Sequence, residues 1–147
     1  MRFSTKSRYG LRAMIELALH YNEEAPVSVK TIAEQQEISE AYLEHLMSTL
    51  ARRRLAKSVR GAQGGYLLSR DPAKIKVGDI IRALEGDIVP VDCVNKEDPA
   101  DCERFESCVS RIVWERVQDA INDTLDSFTL QDLLDKLRAR GKTGGSL

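Results

Sequence analysis

Apolar residues recur at helical spacing along most of the chain. Leu11, Met14, Ile15, Ala18 and Leu19 predict a first helix from Tyr9 to Leu19, ending near Asn22 ahead of Pro26. Ser28 then caps a short helix through Val29, Ile32 and Ala33, and Gln35 and Gln36 lead into a turn. Ser39 is the expected N-cap of a third helix. Ile38 packs there as a staple on Leu43, and Leu43, Leu46, Met47 and Leu50 form the buried face. The period then changes. Leu55 to Val59 and Tyr66 to Leu68 read as short strands flanking Arg60-Gly61-Ala62-Gln63-Gly64-Gly65, a hairpin tip with little side-chain bulk. Helical spacing returns in Val77, Ile80, Ile81 and Leu84 and breaks at Gly86.

After an irregular stretch, Val109, Ile112, Val113, Val117, Ala120, Ile121, Leu125 and Phe128 form one stripe, with Glu115, Arg116, Gln118, Asp119, Asn122 and Asp123 largely opposite. This predicts a helix of roughly 20 residues or more whose stripe needs a partner surface, most simply the same helix of a second copy. Trp114 flanks the stripe in a structural role. Thr129 caps a last helix packed through Leu130, Leu133, Leu134 and Leu137, with Asp132 in the capping-box position. The expected architecture is mainly α with a small β wing: a winged helix-turn-helix plus a long dimerisation helix. Its expected divisions are a DNA-binding domain at 1–84, a cysteine loop at 85–108, dimerisation and C-terminal helices at 109–138, and a flexible tail at 139–147.

Charge sharpens this picture. The chain of 147 residues has a formal net charge of -1, but residues 1–74 carry 12 Lys/Arg against 8 Asp/Glu and residues 75–147 carry 10 against 15. Arg2, Lys6, Arg8 and Arg12 form one basic cluster, and Arg52, Arg53, Arg54, Lys57 and Arg60 another. Such clusters attract a polyanion even on a near-neutral chain. Two short helices followed by a basic glycine hairpin suit duplex DNA, the second helix entering the major groove and the hairpin the minor groove. No apolar run reaches 18 residues and Met1 to Tyr9 lacks an apolar signal core, so a cytoplasmic location without a membrane partner is expected. No histidine neighbours a candidate nucleophilic cysteine and no substrate cleft is evident, so neither an enzyme nor a small-molecule substrate is expected. The terminal Gly-Lys-Thr lacks the rest of a phosphate-binding loop.

Cys93, Cys102 and Cys108 lie within an acidic stretch in which residues 85–106 carry eight acids and two bases. An odd count of cysteines argues against a closed disulfide framework. The tight C-x2-4-C pairs of zinc sites are absent, and the wider spacing is compatible with a [2Fe–2S] rhomb, which has four terminal ligand positions. Three thiolates leave the fourth position to another residue, a small molecule or an open site. His20 ends an apolar helix and His45 lies on the recognition helix, so neither is near in sequence. The cysteines can also be three unrelated thiols.

Four stretches carry a family likeness: MRFSTKSRYG at 1–10, ISEAYLE at 38–44, VRGAQGGYLL at 59–68 and VGDIIRALEG at 77–86. Through them the chain resembles the IscR-type family of winged-helix regulators over about residues 1–138. The resemblance implies a homodimeric transcription regulator, repressor or activator, and several such proteins hold a [2Fe–2S] cluster. It implies that Glu44 discriminates between DNA sites, that Arg60 reads bases beside the wing, that Gly61, Ala62, Gln63, Gly64 and Gly65 form that wing, and that Cys93, Cys102 and Cys108 are cluster and metal ligands. Eight residues separate Cys93 from Cys102 where the family commonly has five. Arg111 stands where a liganding histidine follows the third cysteine, and Arg8 where some relatives use an acid, which leaves the fourth ligand unassigned. Relatives controlling cysteine metabolism lack a cluster. The full set expected to meet DNA is Arg2, Ser39, Ala41, Tyr42, Glu44, His45, Arg52, Lys57, Arg60 and residues 61–65. The expected function is an operator-binding regulator sensing iron–sulfur status. A cluster-free thiol- or sulfur-metabolite-responsive regulator and a protein-interaction module without DNA are the alternatives.

Overall fold

The structure is a computed structural model that describes residues 1–98 and 101–141. Its helices are α1 (Thr5–Leu19), α2 (Val29–Gln36), α3 (Glu40–Arg52), α4 (Val77–Glu85), α5 (Arg111–Asp126) and α6 (Leu130–Ala139). Strands β1 (Ala56–Val59) and β2 (Gly65–Leu68) pair antiparallel, Ala56 opposite Leu68 and Val59 opposite Gly65. The fold is mainly helical with a small β wing, as the pattern predicts. Of the tail expected at 139–147, Ala139 ends α6, and residues 142–147 lie outside the described residues.

Short polar side chains set the helix starts. Ser28 and Ser39 accept hydrogen bonds from Thr31 N–H and Tyr42 N–H, each at 3.1 Å, satisfying amides that have no partner in the first turn. Thr129 and Asp132 complete a reciprocal capping box on α6. α1 begins four residues before the expected Tyr9, because Ser4 caps it through Lys6 N–H at 3.2 Å. Its first turn is polar and leaves no mark in the apolar pattern.

One core joins nearly every element. Met14 and Leu17 of α1, Ile32 of α2, Leu43, Leu46, Met47 and Leu50 of α3, Ile80 of α4 and Leu130 and Leu134 of α6 are buried in a single cluster. The last helix therefore packs into the same core as α3. Val77, Ile81 and Ile88 form a second cluster, against which Leu11, Ile121, Leu125 and Leu133 pack. Val77 N–H donates to Phe128 O at 2.9 Å and Leu130 N–H to Ile75 O at 3.0 Å, pinning the α5–α6 junction to the start of α4.

The long-helix expectation is corrected in two respects. α5 has 16 residues, because it starts at Arg111, two residues after Val109, and ends at Asp126, two residues before Phe128, with the next helix restarting under the expected Thr129 cap. Gln118 and Asn122, expected on the solvent side, face the protein instead. Gln118 is buried and donates to Ile88 O at 3.3 Å, and Asn122 accepts from Arg82 at 2.9 Å. Buried amides persist where such partners satisfy them. Val109, Ile112, Val113 and Trp114 are left exposed.

Candidate nucleic-acid interface and cysteine loop

α2 and α3 are joined by the turn at Glu37 and Ile38, with Glu37 in the left-handed region (φ 55°), and Leu43, Leu46, Met47 and Leu50 hold α3 against the core. Its first turns therefore present Glu40, Ala41, Glu44 and His45 outward. Ser39 is exposed while its oxygen caps the helix. Tyr42 is half-buried, and its hydroxyl lies 3.0 Å from Thr5 Oγ1 while its ring meets Tyr9 edge-on. Tyr42 thus braces α3 against α1. Arg2 is exposed just before α1, whose start is fastened to α4: Glu85 Oε1 accepts from Ser4 N–H at 2.8 Å and from the Ser4 and Ser7 hydroxyls at 2.6 Å each.

The wing is anchored at its base and open at its tip. Lys57, Arg60, Gly61, Ala62 and Gln63 are exposed, and Gly64 and Gly65 are half-buried. Gly61, with φ near 107°, turns the chain. Gly65 passes so close to Val27 that an added β-carbon would sit 2.1 Å from the Val27 carbonyl oxygen. That approach lets Val27 and Tyr66 exchange two backbone hydrogen bonds of 2.9 Å, tying the wing to the entry of α2. Glu44, Val59, Arg60 and Gly64 line an open cleft of about 400 Å³ between wing and recognition helix. Arg52, Arg53 and Arg54 are exposed at the end of α3. The expected DNA-facing residues thus fall on the helix start, the wing and its flank, with Tyr42 turned partly inward.

Sequence reasoning missed Tyr66. Its hydroxyl donates to Glu44 Oε1 at 2.5 Å. Burial first, then the hydrogen bond to Glu44 and its charge, push the phenol up to about 12. The signal was the two-residue period of β2, which turns Tyr66 and Leu68 inward together. A buried tyrosine hydroxyl requires a polar partner.

The cysteine loop leaves α4 at Gly86 and is held by few contacts. Ile88 is buried, Asn95 Oδ1 accepts from Glu97 N–H at 3.1 Å, and the Arg111 guanidinium stacks 4.0 Å from the Phe105 ring centre. Cys93 lines a cleft of about 270 Å³ with Phe105 and Gln118. Cys102 is exposed and Cys108 half-buried, and all three thiols are free. Cys108 Sγ lies 3.1 Å from Ser110 Oγ. The Ser110 hydroxyl first, then the Arg111 amide, hold this thiol below its ordinary range. Among the described residues no three His, Cys, Asp or Glu side chains converge into a group that could hold a metal ion. The donor chemistry suits a [2Fe–2S] centre, but the residues as arranged do not form its socket. Neither histidine joins them: His45 lies exposed on α3, and His20 Nδ1 is 2.8 Å from Glu23. No helix among the described residues is long and apolar enough to cross a membrane.

Comparison with known proteins places this architecture. Residues 3–136 match the Rrf2 family, described as iron-dependent transcriptional regulators. The HTH-type transcriptional regulator CymR of Bacillus subtilis (strain 168) is 49% identical over 133 residues, covering 90% of this chain and 89% of that protein. The solved structure of B. subtilis CymR, described as the global cysteine regulator, aligns at TM-score 0.76 with 46% identity over 92% of this chain and 98% of the other. That of T. potens IscR aligns at TM-score 0.77 with 46% identity over 99% and 94%. The chain belongs to the Rrf2 family of transcription regulators, which are not enzymes.

Proposed function

We propose that this protein is a homodimeric, operator-binding transcription regulator of the cytoplasm whose input enters through the thiols of the 85–108 loop. The observation that carries the reading is the shared exposure of Glu44 and Arg60 on one cleft between helix and wing, flanked by Lys57 and Arg52. Two α3 helices of a dimer enter successive major grooves, and the wings lie in the adjacent minor grooves. Glu44 accepts from an exocyclic amine such as cytosine N4, and Arg60 meets base acceptors or a narrowed minor groove. Arg2, Arg52 and Lys57 neutralise phosphates, which gives affinity without sequence information.

The loop is placed to bias this geometry because it runs from α4, which packs on the reading head, to α5, which carries the exposed apolar face. Two inputs have support. The free Cys108 thiol, lowered by the Ser110 hydroxyl 3.1 Å away, and the likeness to the global cysteine regulator of B. subtilis favour direct thiol chemistry without a cluster. The family's iron dependence, and the match of Cys93, Cys102 and Cys108 to the cysteine ligand positions that the resemblance implies, favour a [2Fe–2S] centre, which would supply a redox- and supply-sensitive state.

One experiment tests both levels. Protein isolated anaerobically is assayed for iron and acid-labile sulfide, and its binding to genomic fragments is followed against salt. Steeply salt-dependent binding that Arg60→Ala weakens is expected, and its absence would reject the operator-binding reading. Stoichiometric iron and sulfide, lost in Cys→Ala variants, would select the cluster, and a cluster-free protein whose binding responds to thiol oxidation would select the other input.

A further inference from the structure

We propose that Tyr66 is a positioning residue for base readout: its hydroxyl commits one oxygen of Glu44 inside the protein and leaves the other as the single acceptor presented to DNA. This rests on the operator-binding reading above and adds a residue outside the recognition helix to its specificity.

The geometry points to Tyr66 because it is immobile where Glu44 is not. Tyr66 is 5% exposed, its backbone exchanges two hydrogen bonds with Val27 on one side, and it pairs with Ser58 on the other. Gly65 makes that paired bonding possible, since any side chain there would strike the Val27 carbonyl. Glu44 stands exposed on α3 with a flexible side chain. Left alone, it would sample several rotamers and lose that freedom on binding. The Tyr66 hydrogen bond to Oε1 removes the freedom beforehand. The phenol keeps its proton throughout the physiological range, so it acts only as a donor toward a group that only accepts.

The consequence is selectivity more than affinity. A carboxylate that cannot swing aside accepts from the amine of cytosine or adenine, and it penalises guanine O6 or thymine O4, which bring a second acceptor against it. A mobile Glu44 escapes that penalty by turning to solvent. Removing the hydroxyl therefore raises tolerance for the wrong base without weakening the phosphate contacts that supply most of the binding.

The test is selection from a pool of random-sequence double-stranded DNA by the full-length protein, comparing wild type, Tyr66→Phe, Glu44→Ala and the double variant. Tyr66→Phe is expected to lose discrimination about fivefold, the worth of one hydrogen bond, at the same base position that Glu44→Ala affects. The double variant should lose no more than Glu44→Ala, and the salt slope should stay unchanged. If Tyr66→Phe proves unstable, side-chain NMR of DNA-free wild-type protein supplies the second readout: Glu44 should hold one rotamer, with its carboxyl carbon coupled to the Tyr66 hydroxyl proton. Wild-type preferences at every position in Tyr66→Phe, or a Glu44 side chain averaging among rotamers in the free protein, would overturn the proposal, as would a loss uniform across sequences. If Glu44→Ala shifts the preference and Tyr66→Phe does not, this inference alone fails. If wild type binds no DNA, the operator-binding reading fails first.

Discussion

Arg82 of α4 meets Asp126 at the end of α5 at 2.6 Å, and Gly78, one turn earlier on α4, leaves the space in which they meet. A β-carbon on Gly78 would lie 1.9 Å from Asp126 Oδ1 and 2.8 Å from an Arg82 nitrogen. Arg82 also donates to Asn122 at 2.9 Å, so one guanidinium fastens α5 to α4 at two points. Gly78→Ala has to move the ends of the Arg82 and Asp126 side chains, which can swing aside, and alanine gains about 0.5–1 kcal/mol over glycine inside a helix. Urea unfolding should therefore place Gly78→Ala within about 1 kcal/mol of wild type. Asp126→Asn removes the partly exposed charge without that gain and is expected to cost about 0.2–1 kcal/mol. A loss of about 2–3 kcal/mol in Gly78→Ala, the upper range of core overpacking, would mean that the two side chains cannot yield.

Glu85 and His20 give the stability–pH curve slopes of opposite sign. Burial pushes the Glu85 carboxyl up, but hydrogen bonds from Ser4 and Ser7 and the charge of Lys6 outweigh it and hold the group below its ordinary 4.5. The folded state thus favours the anion. Its contribution is complete above 4.5 and is lost as pH falls through the folded value. His20 is raised above 6.5, first by its hydrogen bond to Glu23 and against the effect of burial, with Glu16 adding to the rise. Its contribution is complete below 6.5 and is lost as pH rises through the folded value. Thermal unfolding from pH 3 to 8 should therefore show Glu85→Gln flattening the acid limb and His20→Gln flattening the decline above 6.5. Unchanged slopes in both variants would contradict the assignments.

What could be read in the chain divides along the range of the interactions involved. The Ser28, Ser39 and Thr129 caps, the α3 buried face and the glycine wing are local patterns, and each stands where the residues indicate. Gln118 and Asn122 were misread because their partners, Ile88 and Arg82, are 30 and 40 positions away. The break between α5 and α6 was legible in the Thr129 cap, but the hydrogen bonds that pin it, from Val77 N–H to Phe128 O and from Leu130 N–H to Ile75 O, cross to a distant part of the chain. Exposure of Glu44 follows from helical period, but its tie to Tyr66 crosses from helix to wing. Convergence of cysteines has no period, and spacing alone cannot decide it.

Cys108 sits where α5 begins, and its thiol is held low by the Ser110 hydroxyl, then by the Arg111 and Ser110 amides and the Arg111 charge. A cysteine whose thiol is held low is more fully ionised at neutral pH, and so reacts faster there, than an unassisted one. In a protein carrying Cys93→Ser and Cys102→Ser, alkylation of Cys108 by iodoacetamide should show a pH midpoint below the ordinary 9.0 of a cysteine thiol. Ser110→Ala should move that midpoint up and slow the reaction at pH 7. An identical profile with and without Ser110 would remove the basis for direct thiol sensing at this residue.

The exposed face of α5 makes the sharpest test of assembly. Val109 is 77% and Val113 56% exposed in a single chain, next to Ile112 and Trp114, while Ile121 and Leu125 on the other side pack on the second core cluster. An apolar stripe of this kind is stable in water once a second surface covers it, and a two-fold copy of the same helix supplies that surface. Val113→Asp should therefore leave helicity and the unfolding midpoint of the single chain nearly unchanged while shifting the sedimentation coefficient from dimer to monomer. Ile121→Asp, on the inward side, should unfold the α4–α5 junction instead. DNA affinity ought to follow the first change steeply, because two linked reading heads gain about 100-fold or more over one from effective concentration alone. A Val113→Asp protein that sediments as a dimer and binds DNA like wild type would place the subunit contact elsewhere. It would also separate the cysteine loop from the interface through which its state is proposed to act.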